Sequence, residues 1–205
     1  MSELFYLKII VSFIKFILRT PLSVDVLRFI NTSMSSAGVT QLLFTTRNDV
    51  SVVDVADWRT ALASNVTSSP RSIVSGLEDA IAVDYVWSDS SIYWTDLTHG
   101  RVYRTTVNLS TSSRPGRGDV TVVAGGIEAP DGLACDWVGR KLYWADSETD
   151  RIEVAQLDGT MRRVLYWQDI DQPRAIALDP THGYFTRADL TNTFPPSEMS
   201  AMSSV

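Results

Sequence analysis

Between residues 41 and 180, apolar and polar positions alternate in short runs separated by turn-forming residues, which predicts β-strands and little helix. Three runs are apolar and end in aspartate: AIAVD ending at Asp84, GLACD ending at Asp136 and AIALD ending at Asp179. The first two are each followed by an aromatic core, Tyr93-Trp94-Thr95-Asp96 and Tyr143-Trp144-Ala145-Asp146. A short polar turn comes next, and then an alternating strand opened by Arg101 or Arg151. The units are copies of one another.

Tyr93 and Tyr143 are 50 residues apart, Asp84 and Asp136 are 52 apart, and Asp136 and Asp179 are 43 apart. A period of about 43 with four short strands per unit is the spacing of propeller blades. An insertion at 110–119, STSSRPGRGD, reads as a loop and accounts for the two longer intervals. The predicted fold is all-β, about two and a half blades of four-stranded antiparallel sheet, part of a six-bladed propeller.

The blades are assigned to residues 41–185. Residues 79–125 and 126–168 make full blades, with tight turns at Val138-Gly139-Arg140 and Leu157-Asp158-Gly159. Residues 41–78 make a partial blade: QLLFTTRNDVSVVDV matches the middle of the later units, and its first strand is expected to be missing upstream. Residues 169–185 open another. After Gly183 the expected aromatic core is replaced by Tyr184-Phe185-Thr186-Arg187, and residues 186–205, rich in Ser, Thr, Pro and Met, read as a disordered tail, the mark of a truncated or alternatively ended product.

Residues 1–20 form an apolar leader interrupted by Lys8 and Lys15. Three readings stay open for it: a weak signal or signal-anchor, an amphipathic surface helix, or a non-native leader. Residues 21–40 read as a linker.

Composition narrows the function. At 205 residues the chain is too short for six blades, and 44% hydrophobic with 20% charged residues is globular. The net charge of −6 argues against nucleic acid and favours a cationic partner. The single cysteine, Cys135, excludes an intrachain disulfide framework and multi-cysteine zinc sites, and it reads as a small buried hydrophobe. No nucleophile elbow, zinc-protease helix or phosphate loop is present, and His99 and His182 lack ligand spacing. Asp146, Glu148 and Asp150 imitate the start of a calcium loop, but Arg151 and Leu157 stand where glycine and glutamate are required. No catalysis, bound metal or cofactor is expected.

In a strand, Tyr93 and Thr95 face one way and Trp94 and Asp96 the other, so the aromatics should fill the space between sheets. A buried aspartate must be hydrogen-bonded, which makes Asp84, Asp96, Asp136, Asp146 and Asp179 scaffold residues.

These segments resemble the YWTD (class B) repeats of low-density-lipoprotein-receptor-like proteins, and most closely the first propeller of the lipoprotein-receptor-related Wnt co-receptors. GLEDAIAVDY at Gly76, IYWTD at Ile92, PDGLACDW at Pro130, KLYWADSETDRIEV at Lys141, LDGTMRRVLYW at Leu157 and DQPRAIALDP at Asp171 carry the resemblance. It implies a receptor module that binds secreted Wnt ligands or Wnt antagonists, with or without a further co-receptor, on an acidic rim. Matched by motif, the ligand-binding candidates are Arg47, Glu78, Asp79, Asp131, Glu148 and Arg174. Where the family has an acidic residue after YWTD, this chain has Thr98-His99.

Sequons at Asn31, Asn65 and Asn108 mark candidate glycosylation sites. They favour an extracellular or plasma-membrane-associated chain that reaches its place through the secretory pathway. The competing expectation is a product with no binding function of its own, which self-associates through open blade edges.

Overall fold

The computed structural model describes residues 26–31, 40–55, 69–107, 109, 120–180, 184–188 and 200–201. They form four antiparallel sheets. The first contains β1 (Val26–Asn31), β2 (Thr40–Thr46), β3 (Asp49–Val55) and β4 (Arg71–Ser75) in that order. The second runs β5 (Ala80–Val86), β6 (Ser91–Asp96), β7 (Arg101–Thr106) and β8 (Val120–Ala124). The third runs β9 (Pro130–Asp136), β10 (Lys141–Asp146), β11 (Arg151–Gln156) and β12 (Arg163–Tyr166). The fourth contains β13 (Ala175–Asp179), β14 (Tyr184–Ala188) and β15 (Ser200–Ala201). Successive sheets stack as blades, with β9 adjacent to β5 on one side and to β13 on the other.

That position explains the apolar runs. β5 is buried at every residue but Tyr85, because an innermost strand has a neighbouring blade on each face. β12 lies outermost and is exposed or half-buried throughout. In the first three blades the register shifts between the third and fourth strands at matching places, Val50/Ser51, Val102/Tyr103 and Ile152/Glu153. Such a bulge sharpens the local twist that a blade needs.

The aromatic cores divide as their alternation predicts. Trp94 packs back with Leu43, Val52 and Ile73 of the first blade, and Tyr93 packs forward with Leu133, Cys135 and Leu142 of the third. Trp144 likewise faces the second blade, and Tyr143 faces Ile176, Leu178 and Phe185 of the fourth. Burial, reinforced by the Asp136 charge, pushes the Tyr143 phenol up to about 12, so it packs as a neutral ring. Among the described residues neither Trp94 nor Trp144 finds an acceptor for its indole N–H. Gly159 has φ +84°, and a Cβ there would land on the Val122 carbonyl, which is why the LDG turn can lie against β8.

Two expectations are corrected at the ends. The first blade does not lack its first strand: Val26–Asn31, inside the stretch read as linker, pairs antiparallel with β2 from Val26↔Thr45 to Asn31↔Thr40. Its sequence has no terminal aspartate to announce it, yet an unpaired edge of β2 would leave a row of backbone groups without partners. At the other end, strand pairing continues past Gly183, with Leu178 opposite Phe185 and Asp179 opposite Tyr184. Phe185 is buried against Tyr143 and Tyr166, at 5.8 and 5.7 Å between ring centroids, so one aromatic substitutes for the missing pair. Ser200–Ala201, within the stretch read as tail, pairs with β14. The leader at 1–20 lies outside the described residues.

Candidate functional site: one rim of the blades

Antiparallel order places two kinds of connection at one rim: the links from the fourth strand of a blade to the first of the next, and the turns between second and third strands. All six sequence-predicted binding residues lie there. Glu78, Asp79, Asp131 and Arg174 are on or beside the links, while Arg47 and Glu148 are in the turns.

Four of the six pair across blades. Arg47 Nη1 of the first blade is 3.1 Å from Asp79 Oδ1 at the start of the second, an ion pair without hydrogen-bond geometry. Arg174 Nη1, at the start of the fourth blade, donates to Asp131 Oδ2 of the third at 2.7 Å. Asp79, Asp131 and Arg174 occupy the same place in the repeated link, so the recurring position alternates between carboxylate and guanidinium. Both aspartate side chains are mostly covered, at 12% and 14% exposure, and the arginines neutralise them. Pairing of this kind is worth about 0.2–1 kcal/mol where it meets solvent, and it orients the groups more than it holds the fold.

The acidic character of the rim comes from elsewhere. Asp146, fully buried at the end of β10, accepts backbone N–H bonds from Glu128 (2.8 Å), Ala129 (3.0 Å), Glu148 (3.2 Å) and Thr149 (3.3 Å). One carboxylate thereby ties a link and a turn together and brings Glu128 and Glu148 to the same patch. Both glutamates are exposed, and neither has an ion-pair partner among the described residues. Asp146 is the scaffold residue expected from the motif, and Glu148 is the candidate that it presents. Glu128 was missed; its signal was its place three residues before Asp131 in the repeated link.

His99 was also missed as part of the site. Its backbone N–H donates to Asp96 Oδ1 at 2.8 Å, its Nδ1 lies 3.0 Å from the same oxygen, and its Nε2 is 3.7 Å from Glu78 Oε2. Glu78 is 62% exposed. Two of the three carboxylates of the false calcium loop are spent within the protein, since Asp146 holds four amides and Asp150 accepts the Gln172 N–H at 2.7 Å. Among the described residues no group of three or more His, Cys, Asp or Glu gathers to hold a metal, and no helix is long and apolar enough to cross a membrane. Asn31 closes β1; Asn65 and Asn108 lie outside the described residues.

The model of the low-density lipoprotein receptor repeat class B family matches residues 140–180. Low-density lipoprotein receptor-related protein 5 of Mus musculus is 51% identical over 148 residues, and that of Homo sapiens 50%. The chain carries low-density lipoprotein receptor class B repeats. Each alignment covers 72% of this chain and 8% of the relative, so the chain spans about 8% of the length of these relatives. A chain in the crystal structure of a nidogen–laminin complex superposes with a TM-score of 0.62 and 27% identity, over 74% of this chain and 53% of that one. Hydrazine synthase of Kuenenia stuttgartiensis, at 15% identity and TM-score 0.50, shares the fold alone. The class B blades here are therefore part of a YWTD β-propeller, and the Asp146 clasp lies within the segment that the family model matches.

Proposed function

We propose that the class B blades form a non-catalytic, extracellular ligand-binding module whose rim receives secreted Wnt ligands or Wnt antagonists. The parent chain is secreted or held at the plasma membrane, with Asn31, Asn65 and Asn108 as its glycosylation sites. The observation that carries the reading is the Asp146 clasp, which presents Glu128 and Glu148 as exposed carboxylates with no cation of their own among the described residues. A basic loop of a secreted ligand is the natural complement to that patch. Arg47, Glu78, Asp79, Asp131 and Arg174 extend the same rim to the neighbouring blades.

Biolayer interferometry of the full chain with a purified secreted Wnt protein tests this. Salt-sensitive binding is expected, weakened about tenfold or more by Glu128→Lys with Glu148→Lys, because like charges would then face the ligand. Trp87→Ala, on the opposite rim, should leave it unchanged. Binding that ignores the charge reversals would remove the rim from the site. Among the described residues the outer strands β4, β8 and β12 each pair on one side only, which favours self-association as the second reading. Light scattering on the same sample decides for it if large species form and no Wnt protein binds.

A further inference from the structure

The tryptophan of each aromatic core faces the blade before it: Trp94 rests on Leu43, Val52 and Ile73 of the first blade, and Trp144 faces the second. In the first blade Leu43 and Phe44 stand where Tyr-Trp stands later. Leu43 turns forward as a core tyrosine does, so Phe44 is aimed at the place of a preceding blade. Strand pairing sets Phe44 opposite Ser51, and Val53, two residues further along β3, shares that back face. All three are buried, at 9%, 8% and 4% exposure, yet none belongs to the apolar clusters that fill the seams among the described residues. Flanking strands shield the sides of such a face, and its front needs a further apolar layer.

We propose that residues 1–20 supply that layer, lying as an amphipathic helix across the back of the first blade. They are the longest apolar stretch outside the described residues, whereas 32–39 and 56–68, which adjoin the same sheet, are polar by comparison. Phe5, Ile9, Phe13 and Phe16 recur at three- and four-residue spacing, away from the side that carries Lys8 and Lys15. Pro21 closes the helix, because the residue before a proline is pushed out of the helical region. A helix over 1–20 measures about 30 Å, against about 19 Å across four strands, so it spans the sheet. Residues 21–25 reach about 17 Å when extended, enough for the step of about 10 Å between packed layers and a return to Val26 at the start of β1. Arrays of repeats cap their terminal units, because no neighbour covers the outer face. The leader is that cap, retained in the folded chain and independent of what the rim binds.

The test has two arms on the full chain. The first puts the photo-cross-linker p-benzoylphenylalanine in place of Phe13 and maps the products by mass spectrometry. Cross-links within one chain to the β2–β3 hairpin around Phe44 and Val53 are expected. Products confined to other elements overturn the cap, and so does a secreted chain from which residues 1–20 have been cleaved. Cross-links that join isotopically labelled to unlabelled copies also overturn it and assign the back face to a second copy. The second arm is limited trypsin digestion, read at Lys8 and Lys15. Val53→Asp, which sets a charge under the helix, should speed cleavage there about tenfold by raising the undocked population, with the distant strand β12 cut at its old rate. Ile9→Asp with Phe13→Asp carries the same expectation without touching the sheet, and decides the matter if Val53→Asp fails to fold. An unchanged rate at Lys8 and Lys15 in the leader variant overturns the cap.

Discussion

The second and third blades carry nearly the same motif and solve its hydrogen bonding differently. In the third, Trp144 lies opposite Leu133 and Asp146 opposite Pro130; in the second, Trp94 lies opposite Val83 and Asp96 opposite Ala80. By motif Val83 corresponds to Cys135 and Ala80 to Gly132, so the pairing of the second blade has slipped by two residues. The cause is the longer turn at Trp87–Ser90: nine positions separate Asp84 from Tyr93, against seven from Asp136 to Tyr143. A slip of two keeps every side chain on its own face, whereas a slip of one would turn the core outward.

The slip moves the aspartates instead. Asp136 remains beside its turn and accepts the Val138 and Gly139 amides at 2.9 and 2.8 Å. Asp84 sits two residues further from its turn and receives the Cys135 N–H of the next blade at 2.8 Å. At the other rim Asp146 reaches the Glu128 and Ala129 amides. Asp96 lies deeper, opposite Ala80, and the corresponding Leu77 amide donates to the Asn48 carbonyl. His99 supplies to Asp96 what the link supplies to Asp146. A turn on one rim thus determines the chemistry of the other, and it places a histidine where the family resemblance leads one to expect an acid.

The Trp residues also differ in what covers them. Trp94 stacks on Tyr103 at 5.5 Å, whereas Trp144 lies under the Arg162 guanidinium at 5.2 Å. Arg162 binds Glu153 through Nε and Nη2 at 2.7 and 2.8 Å, and reaches the Gly125 and Gly126 carbonyls of the link that leaves the second blade. Glu153 is almost fully covered, so losing its partner strands a buried charge. Arg162→Met should cost about 3 kcal/mol in urea denaturation. Adding Glu153→Met should return most of that, because the apolar pair can pack against Trp144 as Tyr103 packs against Trp94. A single variant as stable as the parent would mean that the clamp adds nothing to the seam.

A smaller effect separates the two aspartate arrangements. His99→Ala removes a side-chain donor from buried Asp96 and should cost about 1–2 kcal/mol. Thr149→Ala changes a residue that serves Asp146 through its backbone alone, and it should stay within about 0.5 kcal/mol of the parent. Equal losses at the two sites, measured by denaturation midpoint, would contradict the division of labour.

Much of this was legible in the residues and some was not. The strands, their faces and the buried aspartates follow from alternation and from the cost of burying polar groups. The six rim candidates fall on one edge because the repeat fixes which turns share it. Alignment by motif equates Asp84 with Asp136 and hides the slip; only the count of turn residues betrays it. β1 was invisible because VLRFIN lacks the aspartate ending, and its pairing answers a need of β2. β14 was discounted because Tyr184-Phe185 departs from the motif, although one buried ring was enough to continue the sheet. Glu128 and His99 escaped because each acts through a buried aspartate whose partners only the fold assembles.

The smallest effect belongs to the opposite rim of the same seam. Asp89, in the long turn of the second blade, receives both Arg140 nitrogens of the third at 2.8 and 2.6 Å. The hydrogen bonds from Arg140, with one from Ser88, hold the Asp89 carboxyl below its ordinary value. A depressed carboxylate contributes stability above its unfolded value near 3.9, and that stability is lost as pH falls through the folded value. Arg140→Ala should therefore cost about 0.2–1 kcal/mol at pH 7, screened by salt because half of the Arg140 side chain is exposed. Once pH has fallen through the folded value the carboxyl is protonated and the bond no longer distinguishes the two chains, whose unfolding midpoints in urea should converge. A deficit that persists in acid would mean that Arg140, left-handed at φ 57°, matters for the shape of its own turn and not for the bond across the seam.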